Sequence, residues 1–243
     1  MTSLRTVRVE QLDPRLGRHI EHDSRSKEYP ARQLTGVRNR LWAHQAPVLK
    51  QDIGCCTGAA MAQLLNCSAM VLARRAGLGT TRYLTLAHAK ELYAAATEID
   101  DIAGQWPPDD TGSSGLGVAK AAVQLGYGSS YRHAFGFPHF LAAIQMAPMI
   151  VGPWWYQGMG KLARKAVAYP TGQRLGGHEY LCLGADFDTE TLTFLNSWGA
   201  SWGDNGRFRM AFRDFEKLLT DDGDATVLIG AVPKQMTPEA VSG

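Results

Sequence analysis

Three stretches of the chain carry side chains able to attack an acyl group and move its protons. Near the front, Gln51-Asp52-Ile53-Gly54-Cys55-Cys56-Thr57-Gly58-Ala59 offers two adjacent thiols. Toward the back, Gly176-Gly177-His178 offers an imidazole. Beyond it, Asn196-Ser197-Trp198-Gly199-Ala200-Ser201-Trp202-Gly203-Asp204-Asn205-Gly206 offers an amide beside two Trp-Gly pairs. A free thiol has a pKa near ~8.5, but at a helix N-terminus beside an imidazolium it can fall to about 3–4 and become a strong nucleophile. Taken singly, each feature has a plainer reading: a buried cysteine acting as a small hydrophobe, a satisfied core histidine, turns with packing aromatics. Their joint presence is what calls for chemistry. Other combinations carry none. His178-Glu179 lacks a second histidine at the spacing of a zinc helix. Asp100, Asp101, Asp109 and Asp110 fit no calcium loop, Asp221-Asp222-Gly223-Asp224 is a turn, and the cysteines lack the Cys-x-x-Cys spacing of a zinc site.

The elements around these residues change character along the chain. Residues 1–45 are polar, rich in Arg and His, and interrupted by Pro14, Pro30 and Gly36, which predicts an extended arm with one short strand. Cys56 opens a run to about residue 75 in which Ala60, Leu64, Leu65, Met70, Val71 and Leu72 recur at the spacing of a buried helix. Further helices are expected at 85–98, 116–125, 138–146 and 214–219, with a loop across 100–115. Short apolar runs at 149–155, 163–169, 180–184, 192–195, 206–212 and 226–232, bounded by Gly, Pro and Asp, predict strands. Helices first and strands later is the α+β pattern.

The three chemical segments, in the order Cys, His, Asn, resemble the papain-like cysteine peptidase family, of the stand-alone kind found in bacteria and phages. Asn-Ser-Trp-Gly followed by Trp-Gly and a further Gly is its asparagine segment; Gln, a short loop and Gly-x-Cys before a helix is its nucleophile segment. The resemblance covers roughly residues 46–212. It implies a two-lobed α+β fold, with a helical lobe, an antiparallel, barrel-like strand-rich lobe and the active-site cleft between them. It also implies a peptidase domain at 46–234, with 1–45 as a basic arm and 235–243 as a tail. Within the family pattern Cys56 is the nucleophile, with Cys55 as its rival. His178 is the acid–base, Asn196 orients the imidazole, and Trp198 shields that hydrogen bond. Gln51, with the Cys56 backbone N–H, binds the oxyanion. The loop Ser113-Ser114-Gly115 would form a glycine-rich cleft edge where substrate backbone pairs, with Ser114 and Gly115 as its binding residues, and Gly177 would face the same cleft. Two departures stand out: Gln51 lies five residues before Cys56 where the family usually shows six, and Thr57 replaces a frequent Trp.

The implied activity is a cysteine-type endopeptidase that hydrolyses peptide bonds in a polypeptide substrate, with no metal and no cofactor. Alternatives from other classes are a phage peptidoglycan amide hydrolase, an acyl transferase, and a catalytically silent binding or virion protein. The formal net charge of +2 in 243 residues argues against nucleic acid as a partner. Ten Lys/Arg against five Asp/Glu in residues 1–50 read as a solvated basic extension. The longest apolar stretch, near 59–73, is broken by Gln63, Asn66 and Ser68, so no membrane partner is expected. Without a signal peptide pattern the expected location is cytoplasmic, or virion-associated for a phage protein. Substrate preference and oligomeric state are not written in the sequence.

Overall fold

The computed structural model describes residues 3–32, 35–67, 83–162 and 167–230. In chain order, β1 (Leu4–Val7), β2 (Ile20–Asp23) and β3 (Arg40–Leu41) precede helices α1 (Cys56–Leu65), α2 (Leu86–Ile99) and α3 (Gly115–Gln124). Then come β4 (Ser130–His133), α4 (Phe137–Ala143), β5 (Met149–Val151), β6 (Trp154–Tyr156), β7 (Arg174–Gly177), β8 (Tyr180–Asp186), β9 (Thr191–Leu195), β10 (Arg207–Ala211), α5 (Phe212–Thr220) and β11 (Ala225–Ile229). A seven-stranded sheet runs β10-β9-β8-β5-β11-β4, with β3 joining at β8. Every strand pairing is antiparallel.

This sheet separates two cores, and the alternation of side chains along each strand does the separating. On β8, Tyr180 and Cys182 face an aromatic core with Trp155, Phe194, Phe208 and Phe215. Leu181 and Leu183 face the opposite core, built from α1, α2 and α3. Met149 and Val151 against Ile150 on β5 repeat the division, as do Val227 against Leu228 on β11. Sheet and helices thus form the helical and strand-rich halves expected.

All ten residues of α1 are buried, which explains their small size: a helix enclosed on every side has no room for a polar face. Gly58 is the closest approach. A Cβ there would lie 2.1 Å from the Ala89 carbonyl oxygen and 2.9 Å from the Tyr93 nitrogen of α2. Gly58→Ala is therefore expected to destabilise the chain by about 2 kcal/mol or more. An unchanged urea midpoint, read by circular dichroism, would show that the helices have room to spare.

Several expectations shift. Helix α1 ends at Leu65, and the continuation expected to residue 75 lies largely outside the described residues. The run at 149–155 is two strands, because Gly152-Pro153 lies between β5 and β6. Strands β4 and β7 were not anticipated: Ser-Tyr-Arg-His and Arg-Leu-Gly-Gly have neither apolar runs nor alternation. Of the strand expected at 163–169, the described part contributes one bridge, Val167 to Arg209. Residues 1–45 depart most from the solvated extension expected. Leu16, Arg18, His19, Ile20, Glu21 and Ala31 are buried, and the reason is a set of partners far along the chain.

Candidate active site

Cys56 is the first residue of α1 and Cys55 its N-cap. His178 lies not at the start of a strand but on the two-residue link between β7 and β8, with Asn196 directly after β9. Because β8 and β9 are paired, imidazole and amide are neighbours. His178 Nε2 lies 2.8 Å from Asn196 Oδ1. The same oxygen accepts the Ser197 N–H at 2.8 Å, which fixes the amide and leaves the ring nitrogen as the donor. Among the described residues, His178 Nδ1 has no hydrogen-bond partner. Trp198 lies 5.1 Å from the His178 ring and Trp155 stands edge-on at 4.9 Å, so two indoles pack against the imidazole. The backbone N–H groups of Glu179 and Gly17 reach the Cys56 sulfur. The residue that follows His178 thus adjoins the thiol.

Residues 11–19 of the arm cross this place, turning at Pro14-Arg15, where the Leu16 N–H donates to Asp13 O at 2.9 Å. The Leu12 N–H donates to Leu175 O at 2.7 Å and the Arg18 N–H to Gly177 O at 3.2 Å. Ser113 donates to Gly17 O at 2.8 Å and accepts from the His19 N–H at 2.7 Å. Gln51 Nε2 donates to the Arg15 carbonyl at 2.8 Å, while its Oε1 accepts from the Ser197 hydroxyl at 2.5 Å. The Arg15 guanidinium lies 3.8 Å from the centre of the Trp198 ring, a cation–π contact. Gly17 passes the nucleophile segment so closely that a Cβ would stand 1.8 Å from Gly54 O.

Of the cleft-edge residues expected, Gly177 does face the arm, through its carbonyl. Ser114 does not pair with it: its hydroxyl caps α3 by accepting from Gly117 N at 2.8 Å and donates to Glu21. The backbone pairing belongs to Ser113, one residue earlier. Gly115 borders a pocket instead, since its Cβ would lie 2.4 Å from Asp224 Oδ1.

That pocket holds Arg18, which is fully buried. Its Nη2 lies 2.5 Å from Asp224 Oδ2 and 2.8 Å from Asp222 O, with Nε at 3.2 Å from Asp224 Oδ2. Beside it, the buried Glu179 carboxyl has no hydrogen-bond partner among the described residues. Desolvation, with the Asp224 charge adding to it and Arg18 opposing it, pushes that carboxyl well above the usual range. Removing one partner of such a buried ion pair costs about 3–5 kcal/mol. Nothing local marked Arg18, Ser113, Glu179 or Asp224 as a group; Asp224 lies 206 positions from Arg18.

Burial also overrides the ionisation expected at Cys56 and His178. With the arm in place, desolvation pushes the Cys56 thiol up to about 12, against the pull of the Glu179 and Gly17 N–H groups. Desolvation also lowers His178 to about 4, opposed by the Asn196 hydrogen bond. Thiol and imidazole are therefore both neutral in this form, rather than an ion pair. The helix dipole, worth about 0.3–1 kcal/mol, is too weak to offset that desolvation.

No family model matches the chain. Over 68 residues it is 38% identical to cathepsin B-like cysteine proteinase 4 of Caenorhabditis elegans, a match covering 27% of this chain and 19% of that protein. The matched segment is thus about a fifth of that relative's length. Among solved structures, xylellain, a cysteine protease from Xylella fastidiosa, superposes with a TM-score of 0.68 at 15% identity, over 91% of this chain and 98% of that one. Digestive procathepsin L 3 of the Tenebrio molitor larval midgut gives 0.60 at 14% identity, over 82% and 73%. The bromelain protease from Ananas comosus, in complex with the E64 inhibitor, gives 0.55 at 14%, over 76% and 94%. Two cores divided by an antiparallel sheet, a cysteine opening the buried helix and a His–Asn pair flanking the adjoining strands β8 and β9, together with these superpositions, place this chain in the papain-like fold.

Proposed function

We propose that the chain is a cysteine-type peptidase in which Cys56 attacks the peptide carbonyl, His178 transfers the proton and Asn196 holds the imidazole. The observation that carries this reading is the bond between His178 and Asn196, with the backbone N–H of Glu179, the next residue, reaching the sulfur at the head of α1. In the productive form His178 removes the thiol proton, and sulfur adds to the carbonyl carbon. The C–N bond then breaks as His178 returns the proton to the leaving amine, and water hydrolyses the thioester by the reverse proton route. Gln51 already donates to a backbone carbonyl of the arm, which supports its role as an oxyanion donor with the Cys56 N–H; one such donor is worth about 3 kcal/mol. A peptide backbone held by main-chain hydrogen bonds to Ser113, Leu175 and Gly177 beside the site favours a polypeptide substrate over a cell-wall amide.

Release of fluorescent peptides from denatured protein, with none of the turbidity loss of a cell-wall suspension, is the expected result; the converse would replace the peptidase by an amide hydrolase. His178→Ala is expected to lower kcat by about 10²–10⁴ and, in a chain whose arm has been displaced from the cleft, to move the pH needed for thiol labelling up toward an ordinary thiol's ~8.5. An unmoved labelling profile would remove His178 from the mechanism.

A further inference from the structure

Behind the nucleophile loop stands a carboxylate with no part in the proton transfers. Asp110 Oδ2 accepts the Gly54 N–H at 2.7 Å, two residues ahead of Cys56. The other end of that peptide unit, the Ile53 carbonyl, accepts from Gln51 Nε2 at 2.8 Å. One planar peptide thus joins Asp110 to Gln51, and neither end can turn without the other. The amide nitrogen has two hydrogens, and with one spent on Ile53 the other is left for the Arg15 carbonyl, also at 2.8 Å. A charged acceptor at the far end strengthens such a chain of hydrogen bonds.

Asp110 is itself held. The Tyr93 hydroxyl donates to its Oδ1 at 2.6 Å and accepts the Gly112 N–H at 2.8 Å. Burial, with the Asp110 hydrogen bond adding to it, pushes that hydroxyl well above its ordinary range, so it stays a donor. Tyr93 is fully buried on α2, where its main chain packs on Gly58 of α1. Gly112 adjoins Ser113, whose main chain bonds to Gly17 and His19. A Cβ on Gly54 would stand 3.0 Å from Asp110 Oδ1, so carboxylate and loop leave each other little slack.

We propose that Asp110 is a positioning residue of the oxyanion site: through the Ile53–Gly54 peptide it aims the Gln51 amide, and through Tyr93 it ties the nucleophile loop to the Gly112–Ser113 edge. The inference rests on the peptidase reading and adds to it a residue that acts through another. A donor fixed beforehand need not reorient as charge develops on the carbonyl oxygen. Without Asp110 the peptide is free to turn, and Gln51 turns with it.

The test uses the full chain carrying Gly17→Val, in which a Cβ 1.8 Å from Gly54 O forces the arm from the cleft in every variant alike. Asp110→Ala is expected to lower kcat about 10- to 100-fold, less than the loss of an oxyanion donor outright. Asp110→Asn keeps an acceptor for the Gly54 N–H and should fall between Asp110→Ala and its parent. Gln51→Ala with Asp110→Ala added should lose little more than Gln51→Ala alone, because one residue works through the other. Alkylation of Cys56 by iodoacetamide is a displacement that builds no oxyanion. It should change by less than about twofold in Asp110→Ala, since the charge removed is exposed and screened.

Losses that multiply, alkylation that falls in step with kcat, or an unchanged kcat in Asp110→Ala overturns the proposal. Should Asp110→Ala fail to fold, Tyr93→Phe removes the anchor of the carboxylate while keeping the ring, and the same non-additivity with Gln51→Ala is required of it. If the Gly17→Val chain cuts no peptide, the peptidase reading falls and takes the oxyanion assignment with it. If that chain cuts and Asp110→Ala cuts as fast, the role of Asp110 alone falls.

Discussion

Cys56→Ala is expected to lose covalent labelling by a thiol-directed epoxide and at least about 10⁴-fold in peptide hydrolysis, the scale of losing a member of a catalytic triad. Cys55→Ser is expected to keep both. Burial does not separate the two cysteines: each is fully enclosed, and desolvation pushes each thiol up to about 12. Their surroundings do. Cys56 carries the first helical N–H of α1, and its sulfur is reached by the backbone N–H groups of Gly17 and Glu179, donors that favour a thiolate. The charges acting on Cys55 are those of Asp52 and Asp110, which disfavour its thiolate, with Lys90 opposing them. Mass spectrometry of the labelled peptide after prolonged incubation, so that the arm can exchange, reads the outcome directly. A dead Cys55→Ser beside an active Cys56→Ala would move the nucleophile one residue back.

What the sequence made legible was local chemistry: a cysteine opening a run of small residues, a histidine after two glycines, an asparagine before Trp-Gly. Each depends on neighbours within a few positions, and the helical and strand runs around them carry period and composition. The fold class could be read for the same reason, since alternation on β8 and β9 and the small residues of α1 record which face is buried. Asn196 was legible through its motif, but its bond to His178 depends on the pairing of β8 and β9. Residues 11–19, by contrast, have no apolar period, because their burial comes from main-chain hydrogen bonds to Ser113, Leu175 and Gly177. Arg18 read as one charge of a solvated run, whereas Asp224 and the Asp222 carbonyl hold its guanidinium in a buried pocket. The same enclosure reversed the expected ionisation of Cys56 and His178: the dipole argument had the right sign, but desolvation under the arm is larger.

Gly17→Val is expected to raise the rate of Cys56 alkylation by iodoacetamide about a hundredfold or more at pH 7 in the full chain. A Cβ at Gly17 would sit 1.8 Å from Gly54 O, a backbone atom that cannot rotate away, so the arm cannot keep its course across the cleft. Displacing it returns water to the sulfur. A thiol moved from about 12 to the ordinary 9.0 gains three units, hence about a thousandfold in thiolate at pH 7, because the ionised fraction grows tenfold for each unit the pKa falls toward the ambient pH. His178, released from the burial that holds it near 4, regains the ability to carry a proton below its ordinary ~6.5. The opened site can then hold thiolate and imidazolium together, so labelling should persist below neutral pH, where the wild-type chain is silent. The sign is decisive: if the arm only shields the sulfur sterically, the variant labels faster but follows the pH profile of an ordinary thiol. If the wild-type rate is unchanged in a variant whose circular dichroism is native, the arm does not govern the nucleophile. Loss of the fast reaction when Cys56→Ala is added assigns the signal to that sulfur.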